Sequence, residues 1–385
     1  AAVLFPSAAD GIAFTDSTRL FFVMNDAVIV PSDFAPLLPA LQQFDIPVSL
    51  TSVVDGRLDD LRARQVSVVC GDNAVRLGVS FAVRHIMHSD SLSVDCPSFE
   101  LAAREGALSA MARNFNITDT RTIQMLDSLG HVTIEGSLAG EMPHFEGKMQ
   151  LHTAAGGVQA HGTLHRNDDK QSYSVSGDIL TEGIDLAQVM GRNSPWGTVA
   201  LDLHANCNLY ADASPAGRLS GKIGRFDYNG YSYENVNLDA AYRNRIVNGR
   251  GEIDDPNARV AGEGRARING RSTWADLQIS CDDIALDALH LSDAYPGYRL
   301  SFSLDAAYTG NRLDNANGFI GVDSLLFTNG ESQFVWNRFR IEARNDTLPQ
   351  RIEVESDYIN GEVTGHYTFS SLGRSLHDML AALLP

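Results

Sequence analysis

Residues 199–209 read VALDLHANCNL. Val199, Leu201, Leu203, Ala205, Cys207 and Leu209 fall on one side of a two-residue repeat, and Asp202, His204, Asn206 and Asn208 on the other. A period of two belongs to a β-strand with one apolar and one wet face. Eleven such residues reach about 35 Å, roughly twice the usual strand. A strand this long predicts a wide sheet.

The pattern recurs along the chain. Tyr298, Leu300, Phe302, Leu304, Ala306 and Tyr308 alternate with Arg299, Ser301, Ser303 and Asp305, and the same phasing holds at Val236, Leu238, Ala240 and Tyr242, at Phe145, Met149 and Leu151, and at Ile352 and Val354. A second signal is a Gly-x-apolar step beside or inside these stretches, at Gly56, Gly136, Gly162, Gly177, Gly221, Gly251 and Gly361. Each step thins the apolar face and permits a bulge or bend, and repeated bends curve a sheet. Their uneven spacing argues against a fixed-period solenoid. Turn signals, Asn229-Gly230 foremost, punctuate the strands.

Helical patterns are few. Ser32 can cap a helix to about Phe44 with Phe34, Leu37, Leu38 and Leu41 in a stripe; further short helices are expected near 99–112, 119–129 and 185–190. The stretch 372–384 is the best amphipathic candidate, with Leu372, Leu376, Leu380 and Leu383 on one side. A break near 113–119 suggests a leading β segment, 1–113, and a longer continuous one, 119–385. The expected class is all-β with a few short helices.

The 385 residues include 48 acidic and 30 basic ones, a net charge near −18. That sign opposes phosphate backbones and anionic headgroups, so nucleic acid is not an expected partner. Cys70, Cys96, Cys207 and Cys281 lack C-x-x-C spacing. A Cys70–Cys96 bridge is compatible with the pattern, but nothing in it calls for one. No apolar run approaches a membrane span, and Ala1–Phe14 lacks the basic start and apolar centre of a signal peptide, which suggests a processed or internal piece.

Catalytic candidates occur only in turns. The pairs Asp59-Asp60, Asp168-Asp169, Asp254-Asp255 and Asp282-Asp283 could serve calcium or glycoside chemistry, but none has EF-hand spacing, and Asp favours turns for its own backbone bonds. His161 and His165 have a helical metal spacing in a strand-like run, where it separates them by about 13 Å. No nucleophile elbow, phosphate loop or dinucleotide fingerprint occurs. The expectation is therefore no enzyme, no cofactor and no metal. The rings of Phe226, Tyr228, Tyr231 and Tyr233 suit sugar stacking, but flank the Asn229-Gly230 hairpin signal and read better as cross-strand packing.

The stretch from Gly224 to Gly270 resembles a segment of TamB proteins of the Bacteroidetes group, in the AsmA-like superfamily. The resemblance rests on Tyr228, Gly230, Tyr231, Tyr233 and Asn235, then Gly251, then Asp255, Pro256 and Asn257. Weaker likeness extends to 32–39, to 129–136 and to the final residues, whereas Ala154 departs from the family's Thr-Asp-x-Gly turn. The resemblance implies an elongated β-taco, a U-shaped groove with an apolar interior that carries phospholipid acyl chains between membranes and supports outer-membrane biogenesis. It also implies a periplasmic location, an inner-membrane anchor in the full-length protein, and an outer-membrane barrel of TamA type as partner.

The expected groove lining is Val199, Leu201, Leu203, Val236, Leu238, Leu300, Phe302, Leu304, Ile352 and Val354. Two rival readings stand beside it. One is an assembly module that captures outer-membrane strands by β-augmentation at sheet edges; the other is a carbohydrate-binding β-sandwich with a closed core.

Overall fold

The computed structural model describes residues 2–4, 19–34, 42, 44–57, 59–86, 88–114, 117, 119–169, 171–190, 194–211, 213–267, 273–310 and 315–368. It is all-β with short helices, and its contacts divide it into two compact units. The first comprises Ala1–Ala213 with Gly224–Asn229, the second Ser214–Ile223 with Gly230–Pro385.

The first unit holds β1 (Ala2–Leu4), β2 (Arg19–Ile29), β3 (Val48–Arg57), β4 (Asp60–Cys70), β5 (Val75–Arg84), β6 (Ser93–Ala103), α1 (Ala107–Asn114), α2 (Thr120–Ser128), β7 (Val132–Glu141), β8 (His144–Thr153), β9 (Gly156–Arg166), β10 (Ser172–Asp185), α3 (Leu186–Met190) and β11 (Trp196–Tyr210). The strand β12 (Ala216–Tyr228) is shared out between the units. The second unit continues with β13 (Tyr231–Arg243), β14 (Ile246–Asp255), β15 (Ala258–Arg267), β16 (Trp274–Ala285), β17 (Arg299–Thr309), β18 (Asn317–Thr328), β19 (Gln333–Arg344), β20 (Gln350–Ser356) and β21 (Gly361–Gly365). In both units strands pair antiparallel with their neighbours in sequence, so each sheet is an open meander.

Register converts the alternation of single strands into continuous faces. In the first unit Ala27, Leu50, Val68, Leu77, Leu101, Ile134, Leu151 and Val158 lie opposite one another from β2 to β9. In the second, Leu238, Gly251, Gly262, Ile279, Leu304, Val322 and Phe339 form such a row from β13 to β19, and Tyr242, Val247, Ala266, Ala275, Tyr308, Gly318, Ala343, Ile352 and Val363 another from β13 to β21. The intervening row runs Asp239, Arg250, Glu263, Gln278 and Asp305. A one-residue slip would exchange these faces, and burial of the apolar rows opposes it.

Bulges supply the bends, and they fall on even-numbered strands. In the first unit the register shifts at Met24/Ala27 of β2, Ala63/Val66 of β4, Cys96/Phe99 of β6 and Leu180/Gly183 of β10; in the second it shifts at Cys281/Ile284 of β16 and between β17 and β18. Asp26, Gln65, Asp283 and Ser324 take positive φ at or beside these points, and Pro97 occupies the β6 bulge, where its missing N–H breaks no ladder bond. Glycine has a different part. A Cβ on Gly136 would stand 2.3 Å from the Lys148 carbonyl and 2.6 Å from the Phe99 ring, so glycine lets that ring lie over the sheet.

Each unit is closed at one end of its apolar face. In the first, α1 lays Ala107, Leu108 and Met111 on Val48, Cys70, Val75, Ala103 and Val132, with Phe44 and Leu129 beside them. These five are residues at which even strands end or odd strands begin. Asp119 caps α2 by accepting from the Thr122 N–H at 2.8 Å, and the Ser109 hydroxyl ties α1 to Asp127. In the second unit residues 286–297 fold back so that Leu289 packs on Ala258, Cys281 and Ile284. The Asp287 carboxylate holds this cover by accepting from the N–H groups of Ala288 at 2.8 Å and Gly297 at 2.7 Å.

The helices differ in extent from their sequence expectations. Of 99–112, residues 99–103 are the end of β6, because Phe99 and Leu101 pair with β5 and β7; the helix is Ala107–Asn114. Of 32–44, only a 3₁₀ turn, Pro31–Phe34, is described, Phe44 is not helical, and Leu37, Leu38 and Leu41 lie outside the described residues. Helices at Thr120–Ser128 and Leu186–Met190 match the expected positions. The 372–384 helix also lies outside them. The 113–119 break falls within the first unit, since β6 and β7 pair across it from Ser93–Glu141 to Ala103–Val132.

Candidate functional site

The expected lining residues occupy the apolar faces, divided between the units. Val199, Leu201 and Leu203 lie on β11 in the first, opposite Ile184, Thr181 and Ile179 of β10. Val236 and Leu238 on β13, Leu300, Phe302 and Leu304 on β17, and Ile352 and Val354 on β20 belong to the second. There Leu304 lies between Ile279 and Val322, Phe302 opposite Cys281, and Val354 opposite Ile341. Val199, Leu203 and Ile352 are buried, and the others are half-buried.

Away from the end covers the apolar faces meet solvent. Leu138, Met149, Ile179 and Ile320, all in apolar rows, stay 41%, 38%, 38% and 46% exposed, whereas Leu289 beneath its cover is 2% exposed. A second sheet packed face to face would bury such side chains. The described residues thus form open sheets, and the closed sandwich core is not what they build.

One concavity of about 860 Å³ in the second unit is bordered by Asn237, Asp239, Arg250, Glu263, Gln278 and Asp305 together with Leu238, Ile279 and Leu304, and one of about 730 Å³ in the first by Ser67, Glu100, Glu135 and Lys148 together with Val79, Phe99 and Met149. Two of the expected lining residues, Leu238 and Leu304, thus border a hollow that also carries charge. Its charges pair across strands: Asp239 accepts from Arg218, with Arg250 at 3.4 Å, and Arg265 meets Asp276 at 3.2 Å. The Arg218 guanidinium holds the Asp239 carboxyl below its ordinary range. Such pairing fixes strand register, and at Asp239 it works against the raised proton affinity of a general acid.

Among the described residues no group of three or more His, Cys, Asp or Glu side chains is arranged to hold a metal ion. His161 meets Glu146 at 3.0 Å, whereas His165 stacks on His144 with ring centroids 4.3 Å apart. The two histidines thus serve separate cross-strand pairs. All four cysteines are free thiols; Cys70, Cys96 and Cys281 are buried, and burial pushes their thiols up. No helix is long and apolar enough to cross a membrane, among the described residues.

The aromatic motif is structural on each side of its turn. Asn229 and Gly230 take φ of 52° and 81°, the left-handed pair that a type I′ turn requires. In the first unit Trp196 packs on Tyr228 with centroids 4.8 Å apart. In the second Tyr231 and Tyr233 meet edge to face at 4.8 Å and pack against Ala258, Cys281 and Leu289. The Tyr231 hydroxyl donates to the buried Asp255, which also accepts from the N–H groups of Glu234 at 3.0 Å and Asn257 at 2.8 Å. Burial and that carboxylate push the Tyr231 phenol up. Tyr231, Asp255 and Asn257, three of the residues that carry the resemblance, therefore brace the start of β13 against the 255–258 turn.

A second aromatic group is assembled from residues of which the sequence pattern singles out only Tyr298. Tyr295, Tyr298, Phe327, Phe334, Trp336 and Tyr358 gather where β18 and β20 end. The residues span more than 60 positions, and the available signal was the short turn at 329–332 that sets Phe327 opposite Phe334. Comparison with protein-family models, curated proteins and solved structures finds no match.

Proposed function

We propose that this chain is a non-enzymatic conduit of TamB type, whose apolar faces shelter phospholipid acyl chains on their way between the inner and outer membranes. The observation that supports it is the set of apolar rows that run from strand to strand, interrupted at Gly251 and Gly262, with Leu138, Met149, Ile179 and Ile320 in parallel rows left 38–46% exposed. Each CH₂ removed from water contributes about 0.8 kcal/mol, so an extended apolar surface lowers the barrier facing a lipid in an aqueous compartment. The polar face remains in water and the end covers limit the trough. In this reading the sheets curve into a taco, the protein is periplasmic and anchored to the inner membrane by a further segment, and a TamA-type barrel is its outer-membrane partner.

The test is photocrosslinking from Leu203, Phe302 and Leu304, with mass spectrometry for co-purifying phospholipid. Leu203→Glu and Phe302→Asp should abolish lipid adducts while the β-sheet circular dichroism survives. Adducts unchanged by those charges would refute the conduit. One observation favours the assembly reading as a second: among the described residues β21 pairs only with β20, which leaves a ladder edge for an incoming strand. Capture of an unfolded strand there would be indifferent to charge in the trough.

A further inference from the structure

The aromatic group at the ends of β18 and β20 carries a distinct inference. Ring contacts run from Tyr295 to Phe327 at 5.1 Å, from Phe334 to Trp336 at 5.9 Å and from Phe334 to Tyr358 at 6.1 Å, while Phe327 and Phe334 face each other in register. Tyr295, Phe334 and Tyr358 are 50%, 46% and 64% exposed, and Ile359 beside them 64%. Aromatic rings bury a large area each, and packing against one another at a sheet end while facing water leaves that area unspent. In the described residues the first unit closes the corresponding strand ends with α1, and the second closes its β15–β16 ends with Leu289; at the β18 end the same 286–297 segment contributes only Tyr295, set on Phe327, and the β20 end carries Tyr358.

We infer that this aromatic end seats in the interfacial layer of a bilayer with zwitterionic, ammonium-bearing headgroups. Tyr pairs an apolar body with a polar tip, the combination that settles at a membrane–water boundary; here the Tyr358 hydroxyl donates to the Val335 carbonyl at 2.9 Å and the Trp336 indole N–H is buried, so these two rings offer the layer mainly their apolar faces. The adjoining exposed acids, Asp293, Glu331 and Asp357, disfavour an anionic surface and suit an ammonium group, which aromatic faces also attract. The inference rests on the exposed rings and their charges, independent of whether acyl chains enter the trough.

The full 385-residue chain carries three tryptophans, so Trp196→Phe with Trp274→Phe leaves Trp336 as the sole reporter. Phosphatidylcholine vesicles with brominated acyl chains should blue-shift and quench Trp336, and the quenching should persist at high salt. Replacing a third of the lipid with phosphatidylglycerol should weaken it. Phe334→Asp with Tyr358→Asp in the same background should abolish quenching while the circular dichroism is retained. Absent quenching at lipid excess, stronger quenching with phosphatidylglycerol, or quenching that survives the double aspartate variant would each overturn the inference. Leu304→Glu separates it from the conduit reading: loss of lipid adducts with quenching intact would leave the docking surface standing.

Discussion

Truncating one side chain beneath a cover and one on the open face should give very different stability losses. Leu289→Ala and Ile320→Ala each remove about three carbon atoms' worth of apolar side chain, roughly 2.4 kcal/mol of transfer free energy when fully buried. Leu289 is 2% exposed, so its loss also leaves a cavity among Ala258, Cys281 and Ile284, and the expected cost is about 3–5 kcal/mol. Ile320 is 46% exposed. About half of its transfer term is already forgone and no sealed void forms, so its cost should be roughly 1.3 kcal/mol or less. Urea unfolding followed by hydrogen exchange of the β16 to β18 amides measures both in the same element set. Equal losses near 3 kcal/mol would mean that Ile320 lies under a layer, and the open-face argument would fail.

Other outcomes follow from single contacts. Gly136→Ala should destabilise the first unit by several kcal/mol, because its Cβ would meet the Lys148 carbonyl at 2.3 Å, whereas Gly147→Ala, with its nearest atom at 3.5 Å, should be tolerated; thermal melts of the pair decide it. Tyr231→Phe removes the only side-chain hydroxyl that donates to buried Asp255 among the described contacts and should cost about 1–3 kcal/mol in chemical unfolding. The backbone N–H groups of Gly297 and Ala288 hold the Asp287 carboxyl below its ordinary range. A depressed carboxylate contributes stability above its unfolded value near 4 and loses it as pH falls through the folded value, so acid should release the 286–297 cover. The Gly297 amide shift should follow that titration, and Asp287→Asn should make it independent of pH.

Strand identity was legible because it depends on local alternation. The odd-numbered residues of 199–209 predict the strand β11, and the even-numbered ones of 298–308 the strand β17. Asn229-Gly230 was legible for the same reason, since both φ values follow from residue type. The bulges were not: Gln65, Asp283 and Ser324 are ordinary polar residues, and their positive φ arises from a neighbouring strand that offers one residue fewer. The expected 99–112 helix failed at its start because Leu101-Ala102-Ala103 are good helix formers that pairing on both sides overrides. The Tyr295–Tyr358 group was invisible because only pairing between strands brings it together.

The meander also sets how each sheet is made and unmade. Because every register in a unit joins a strand to its neighbour in sequence, a nascent strand finds its partner as soon as it clears the one before. At roughly 5–20 residues per second of synthesis, a hairpin of this size emerges every few seconds, far slower than the microseconds a hairpin needs to zip. The chain can therefore be laid down hairpin by hairpin in the order it is translated. Tension on the chain would undo it in the same units, peeling one ladder at a time from an end instead of shearing the whole sheet at once.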